Sequence, residues 1–244
     1  MDHAGPHRDT ARHRHAPERG VFRDALRLAA GQRRAEMNLK GKALLAACAV
    51  SIAGLSALWL ATDGGRALTS ESARRLRALA ATGAVPPSVL EDSRGREILL
   101  RSRADVVTLV EFIYTTCPTV CQSAGDAFFK VRSRVLQTPK LAQSVRMLSI
   151  SFDVEKDGPD RLDDYARGHE ADGQMWKVVR ARRDGLPGLL DAFGVVVIPN
   201  PAYGYTHNAA IHVVRQDGHL AGIYDLEDID GVMANVRNLV GPAT

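Results

Sequence analysis

Cysteine is scarce in this 244-residue chain, with three in all, at positions 48, 117 and 121. A small disulfide-stapled scaffold carries more, so a disulfide framework is excluded. Positive charge is also missing where a nucleic-acid-binding domain would need it. Residues 1–42 hold ten Lys/Arg against five Asp/Glu, whereas residues 43–244 hold 22 against 23. The pI of about 9.1 therefore belongs to the N-terminal tail, and no basic stripe persists to bind nucleic acid. Internal repeats and low-complexity tracts are absent as well, which leaves a chain long enough for one ordinary domain plus extras.

Long apolar runs are limited to one. Residues 43–61, ALLAACAVSIAGLSALWLA, are 19 consecutive uncharged residues, about the length a helix needs to cross ~30 Å of hydrocarbon. Arg33, Arg34, Lys40 and Lys42 precede the run and Asp63 follows it. The positive-inside rule then keeps residues 1–42 in the cytoplasm, as a basic, disordered tail, and puts residues 62–244 outside. In a bacterium this predicts a single-pass inner-membrane signal anchor with its C-terminal domain in the periplasm, and Trp59 suits an interfacial anchor. Leu45-Ala46-Ala47-Cys48 also resembles a lipoprotein processing box, but only five residues separate Lys42 from Cys48, a short apolar core for a signal. Cys48 is read as a small residue of a membrane helix. His3, His7, His13 and His15 lie in the tail among arginines and are read as solvated.

Beyond the anchor, residues 62–85 read as a helical spacer ending at Pro86-Pro87, and residues 86–244 as the folded domain. Val89–Leu90 and Glu97–Leu100 flank a glycine turn, a hairpin signal. Asp105–Tyr114 is a nearly continuous apolar run of buried-strand type, and Val145–Phe152 is a second. Helices are expected over Gly125–Leu136, Pro159–Glu170 and Gly188–Phe193, with Gly194–Ile198 an apolar strand or loop. Ile211–Arg215 and Leu220–Tyr224 bracket Gln216-Asp217-Gly218-His219 as a late hairpin, and Asp228–Val240 is an amphipathic terminal helix. Strands alternating with helices, then a hairpin and a last helix, suit an α/β fold of thioredoxin type, a central mixed sheet flanked by helices.

The chemistry concentrates in TTCPTVC, at the junction of a buried strand and a helix. Pro118 suits a first helical turn, where a missing N–H costs nothing. Cys121, four positions after Cys117, can place its sulfur on the same side of the helix start. Unpaired N–H groups there favour thiolates. Two soft thiolates suit Cu(I), and one added imidazole makes a three-coordinate site that also accepts Cu(II). Zinc is the main competitor, yet structural zinc draws on four ligands and no second cysteine pair exists. A dithiol can also cycle through a disulfide, so a membrane-anchored thiol–disulfide oxidoreductase using Cys117 and Cys121 is the alternative. A peroxide-reducing relative on the same fold is a third reading.

Three ordered blocks carry a family resemblance. VEFIYTTCPTVC (110–121) is similar to the copper-site loop of the Sco/SenC family, LSISFDVEKDGPDRLDDYA (148–166) looks like its second signature, and YGYTHNAAIHVVRQDGHL (203–220) resembles its histidine segment. The likeness spans about residues 86–240. It implies a thioredoxin-like copper protein with Cys117, Cys121 and His207 as metal ligands and Asp153 acting on the site from outside the ligand set. It also implies a role in delivering copper to, or preparing, the CuA site of cytochrome c oxidase, with the CuA-bearing subunit or another copper acceptor as partner. His212 is expected to be structural, His169 and His219 solvated, and Tyr114 and Phe112 part of the core. Gln122 and Asn208 depart from the residues common in the family, Pro and Ser/Thr respectively.

Overall fold

The computed structural model describes residues 19–62, 64–65, 67, 69–81, 83–101, 105–117 and 120–241. The tail histidines, Asp63 and Pro118 lie outside the described residues. The chain divides into two compact units, Met1–Gly65 and Arg66–Thr244.

The first unit is built on one helix, α1 (Arg19–Ala61). Within it Lys40–Ala61 has a mean hydropathy of 2.1 and no buried surface, so this stretch is long and apolar enough to cross a membrane. The helix starts well before the apolar run. Residues 19–42, expected to be disordered, are helical, because they contain no proline and favour helix through Ala, Leu, Arg and Gln.

The second unit opens with α2 (Ser70–Ala80), whose N-cap Thr69 accepts a hydrogen bond from the Ser72 N–H at 3.0 Å. This segment, read as a spacer, packs beside the folded domain: Arg75 bridges Glu71 and Asp225. There follow β1 (Val89–Asp92), β2 (Glu97–Leu99), β3 (Val107–Ile113), α3 (Val120–Leu136), α4 (Pro139–Ser144), β4 (Val145–Ser151), α5 (Pro159–Gly168) and β5 (Trp176–Ala181). The chain continues through α6 (Leu186–Ala192), β6 (Val197–Asn200), β7 (Gly204–His207), β8 (Ile211–Val214), β9 (Leu220–Tyr224) and α7 (Ile229–Val240).

Seven strands form one mixed sheet in the order β2-β1-β5-β4-β3-β8-β9, and β6–β7 form a separate hairpin. The centre, β3–β4–β5, is parallel, so each step needs a crossover, supplied by α3–α4 and by α5. Every residue of β3 and β4 is buried, as expected for strands covered on both faces. Alternate side chains feed two cores. Val110, Phe112, Leu148 and Ile150 join the one that contains the cysteines, while Val107, Leu109, Val145 and Met147 pack under α3 and α7.

Two elements of the sheet system escape the sequence pattern. β5 lies between β4 and β1, yet Lys177 and Arg180 interrupt its apolar run; Arg180 is accommodated by pairing with Glu91 on β1 at 3.0 Å. β7 is short and opens on Gly204 at φ +89°, which hides its strand character.

Candidate metal centre

The site forms where β3 ends. Its last turns are pinned from below by Asp157, which is fully buried. One carboxylate accepts from the Thr115 N–H at 2.8 Å, the Thr115 hydroxyl at 2.6 Å and the Ser151 hydroxyl at 2.5 Å. It thereby ties the end of β4 to the loop that enters Cys117. The family resemblance points to Asp153 and not to Asp157; the signal for Asp157 in the sequence is the Asp-x-x-x-Asp spacing at 153–157. Asp157→Ala is expected to leave the Thr115 N–H unpaired inside the protein and to cost about 2 kcal/mol. Urea unfolding of the variant checks this, and Asp157→Asn, which keeps an acceptor, should recover part of the loss.

Cys117 and Cys121 are 3% and 1% exposed, and neither is in a disulfide. The Cys121 N–H, in the first turn of α3, points at the Cys117 sulfur at 3.4 Å. The helix start thus offers Cys117 a donor that favours its thiolate. Cys121 behaves otherwise. Burial, opposed by a backbone hydrogen bond at Tyr114, pushes its thiol well above the ordinary range. The expectation that the helix start lowers both thiols is corrected for Cys121, because desolvation outweighs the helix-end field there.

His207 ends β7, 86 positions after Cys121, and its Nε2 lies 3.6 Å from the Cys121 sulfur. Its Nδ1 is 3.3 Å from the Asn208 carbonyl oxygen. A carbonyl only accepts, so Nδ1 carries the proton and the Nε2 lone pair faces the thiol. Burial lowers the His207 pKa, which favours this neutral form. The ring sits edge-on to Phe152 at 5.0 Å and to Tyr114 at 6.0 Å between centroids. Tyr114, itself 1% exposed, reaches the backbone carbonyls of Tyr203 (2.9 Å) and Tyr205 (3.1 Å) through its hydroxyl and clamps β7. The Tyr205 carbonyl therefore points out of the hairpin, so Pro199, its partner across the ladder, sacrifices no hydrogen bond. Asn208 has a structural use too: its side-chain oxygen accepts from the Val196 N–H at 2.7 Å and ties the end of β7 to the segment before β6.

Asp153 is buried beside Tyr205. Its carboxylate is 3.8 Å from Lys156 Nζ, and its charge adds to burial in raising the Tyr205 hydroxyl pKa. His169, expected to be solvated, is 7% exposed. It stacks on Tyr165 at 4.4 Å and fills the space beside Gly125, where an added Cβ would fall 2.4 Å from its Nδ1. Tyr165 in turn donates to the Cys121 carbonyl at 2.8 Å. His212 is core, as expected, with Nδ1 3.2 Å from the Val110 carbonyl. Phe112 packs against Phe193 at 5.2 Å.

One buried acid was not anticipated. Glu111, on β3, is 1% exposed and accepts from the Ser149 hydroxyl at 2.5 Å. The Ser149 oxygen receives the Trp176 indole N–H at 2.8 Å, and the second Glu111 oxygen has no partner. Burial raises the Glu111 pKa to about 8.

Among the described residues no three His, Cys, Asp or Glu side chains converge as a set that could hold a metal. Two of the predicted ligands, Cys121 and His207, are at a spacing that two donors to one ion show, each about 2.0–2.3 Å from it. Cys117 is one helical turn away and bonded to the Cys121 backbone.

Fold and site together define an α/β protein with two cysteines after its central strand and an imidazole beside the second of them. The chain belongs to the SCO1/SenC family, whose model matches residues 81–241. The SCO1 protein homolog of Bacillus subtilis (strain 168) is 25% identical over 151 residues, 61% of this chain and 74% of that protein. Among solved structures, Bradyrhizobium japonicum ScoI with copper bound is similar with a TM-score of 0.54 and 21% identity, over 64% of this chain and 99% of that one. BsSco, described as a member of the Sco family of cytochrome c oxidase assembly proteins with a disulfide switch, is similar with a TM-score of 0.56 and 21% identity, over 64% and 93%. The folded unit shares the thioredoxin-like fold of these Sco proteins.

Proposed function

We propose that the chain is a membrane-anchored copper carrier that holds its cargo through Cys117, Cys121 and His207 and delivers it to, or prepares, the CuA site of cytochrome c oxidase. The observation that carries the reading is the 3.6 Å approach of His207 Nε2 to the Cys121 sulfur. Dithiol exchange does not require a third donor, whereas a soft metal ion gains a ligand from it. Two thiolates and one imidazole are a soft donor set that fits copper, and the copper-bound relative supports the choice of metal. The assembly role described for BsSco supports the acceptor. The apolar stretch at 40–61 and the basic residues before it support a bacterial inner-membrane anchor with the carrier domain in the periplasm.

The residues divide the work. The Cys121 N–H favours charge on Cys117, the Asn208 carbonyl keeps the His207 lone pair available, and Asp157 fixes the loop that presents Cys117. Cargo uptake strips protons from the thiols. Release is open to ligand exchange: an acceptor thiolate can replace one donor while the others still hold the ion. In this reading Asp153 acts through Tyr205 and β7, tuning the site from behind.

The oxidoreductase alternative draws on the same pair. The two thiols are one turn apart and unjoined, and they could pass two electrons to a partner disulfide while releasing two protons. His207→Ala separates the two. The carrier reading expects the variant to lose copper while its dithiol is still oxidised by glutathione disulfide at the wild-type rate. A wild-type protein that holds copper no better than this variant would favour the oxidoreductase.

A further inference from the structure

The segment 157–169 grips the cysteine loop at both of its ends. At its start, the buried Asp157 accepts from the Thr115 N–H and hydroxyl, two residues before Cys117. Its far end is the last turn of α5 and the residue that caps it. There Tyr165, 6% exposed, donates its hydroxyl to the Cys121 carbonyl at 2.8 Å. One turn on, His169 stacks on the Tyr165 ring. It also lies so close to Gly125 that a Cβ there would fall 2.4 Å from its Nδ1. Tyr165 and His169, one turn apart, thus meet Cys121 and Gly125, one turn apart on α3. Between the two grips lies a cavity of about 260 Å³, with Thr115, Gln122, Arg161, Tyr165 and His169 in its walls.

Two features go beyond what the helices themselves demand. The Cys121 carbonyl sits in the first turn of α3, where the helical ladder gives it the N–H four residues on. The Tyr165 hydroxyl is therefore a second bond to an acceptor already engaged. Glu170, directly after His169, takes a φ of +57°, and among the described residues it is the only non-glycine in that left-handed region. Helix ends usually give that place to glycine or asparagine. A glutamate held there marks a turn fixed by its surroundings, and this turn carries the His169 ring. Gly125 completes the fit, since a side chain there would displace the ring.

We propose that residues 157–169 splint the cysteine loop, with Tyr165 and His169 as positioning residues that hold Cys121 at the approach to His207 which a shared ion requires. The inference rests on the carrier reading and adds what sets the geometry of its ligand set. Cys121 is held from two sides: its sulfur faces His207 at 3.6 Å, and its carbonyl is tied to Tyr165. Releasing the carbonyl frees the first turn of α3 to rotate, and the sulfur moves relative to His207 with it. Such a contact is felt as metal affinity, because donors that must be gathered bind more weakly than donors already in place.

The test uses the full chain in detergent and competition for Cu(I) against a chelator, with thermal unfolding as the control for the fold. Tyr165→Phe removes one hydroxyl and keeps the ring on His169. It should weaken Cu(I) binding about tenfold, the lower end of what loss of a partner outside the ligand set costs. In the Cys121→Ser background, read with a weaker chelator, the same substitution should cost nothing further, because the residue it positions no longer supplies a soft donor. Gly125→Ala, which drives a methyl into the His169 ring, should weaken binding at least as much. Adding His169→Ala to it should restore part of the loss by making room. Wild-type affinity in Tyr165→Phe, or an equal loss with and without Cys121, overturns the splint and leaves the carrier reading standing. No recovery in the double variant overturns the part given to His169. A wild-type protein that holds no copper overturns the carrier reading, and the splint with it.

Discussion

Cys121→Ser is expected to lower Cu(I) affinity by more than the ~10–100-fold that loss of a partner outside the ligand set costs, and His207→Ala is expected to weaken binding by a comparable factor. The physical case differs for the two. Serine keeps the volume of Cys121 and can hydrogen-bond to His207 Nε2 in its place, so the fold survives while a soft donor becomes a hard one. Alanine at 207 removes the imidazole and opens a gap between Phe152 and Tyr114. Competition titration against a Cu(I) chelator, with thermal unfolding as a control for the fold, checks both. Unchanged affinity in either variant would remove that residue from the ligand set.

The second large effect concerns Glu111 and the pH dependence of stability. Its carboxyl is buried, takes one hydrogen bond from Ser149 and leaves one oxygen unpartnered. With a pKa of about 8 against an ordinary 4.5, it keeps its proton through neutral pH. The sign follows from proton counting. Below pH 4.5 folded and unfolded chains both hold the proton, and the group favours neither. Between 4.5 and 8 the unfolded chain releases a proton that the folded one retains, so stability falls as pH rises. Above 8 both are ionised and the loss levels off. Glu111→Gln keeps an acceptor for the Ser149 hydroxyl and cannot ionise. At pH 8.5 it is expected to be more stable than wild type by on the order of 3 kcal/mol, with the difference much smaller at pH 5. Urea unfolding at the two pH values tests this, and an equal pH slope in both proteins would show that Glu111 titrates normally. The carboxyl also lies within electrostatic reach of Cys121, where its charge would oppose a thiolate. A neutral acid at that place is the compatible state.

The features legible in the sequence were those written in short-range pattern. β3 and β4 are β-rich, largely apolar runs, the Cys117–Cys121 spacing marks a helix start, and the β8–β9 hairpin carries its own turn signal. The meeting of Cys121 with His207 was reached through family resemblance, since nothing local joins residues 86 positions apart. Other features depend on tertiary context. β5 hides behind Lys177 and Arg180, the latter tolerated because Glu91 stands opposite. Asp153 and Asp157 are equivalent acids on paper, and only the fold shows that Asp157 grips the cysteine loop while Asp153 faces Tyr205 and Lys156. The direction of the Cys121 shift could not be read either. A helix start lowers a thiol pKa, burial raises it, and the balance depends on a depth that spacing does not encode.

The central claim is that two thiolates and one imidazole of this chain hold one copper ion. X-ray absorption spectroscopy of the full chain, loaded with one equivalent of Cu(I), tests it most directly. The expected spectrum contains two sulfur scatterers and one imidazole nitrogen, and His207→Ala loses the imidazole signature while keeping the sulfurs. A spectrum with sulfur alone, identical in wild type and His207→Ala, would contradict the claim and return Cys117 and Cys121 to purely dithiol chemistry.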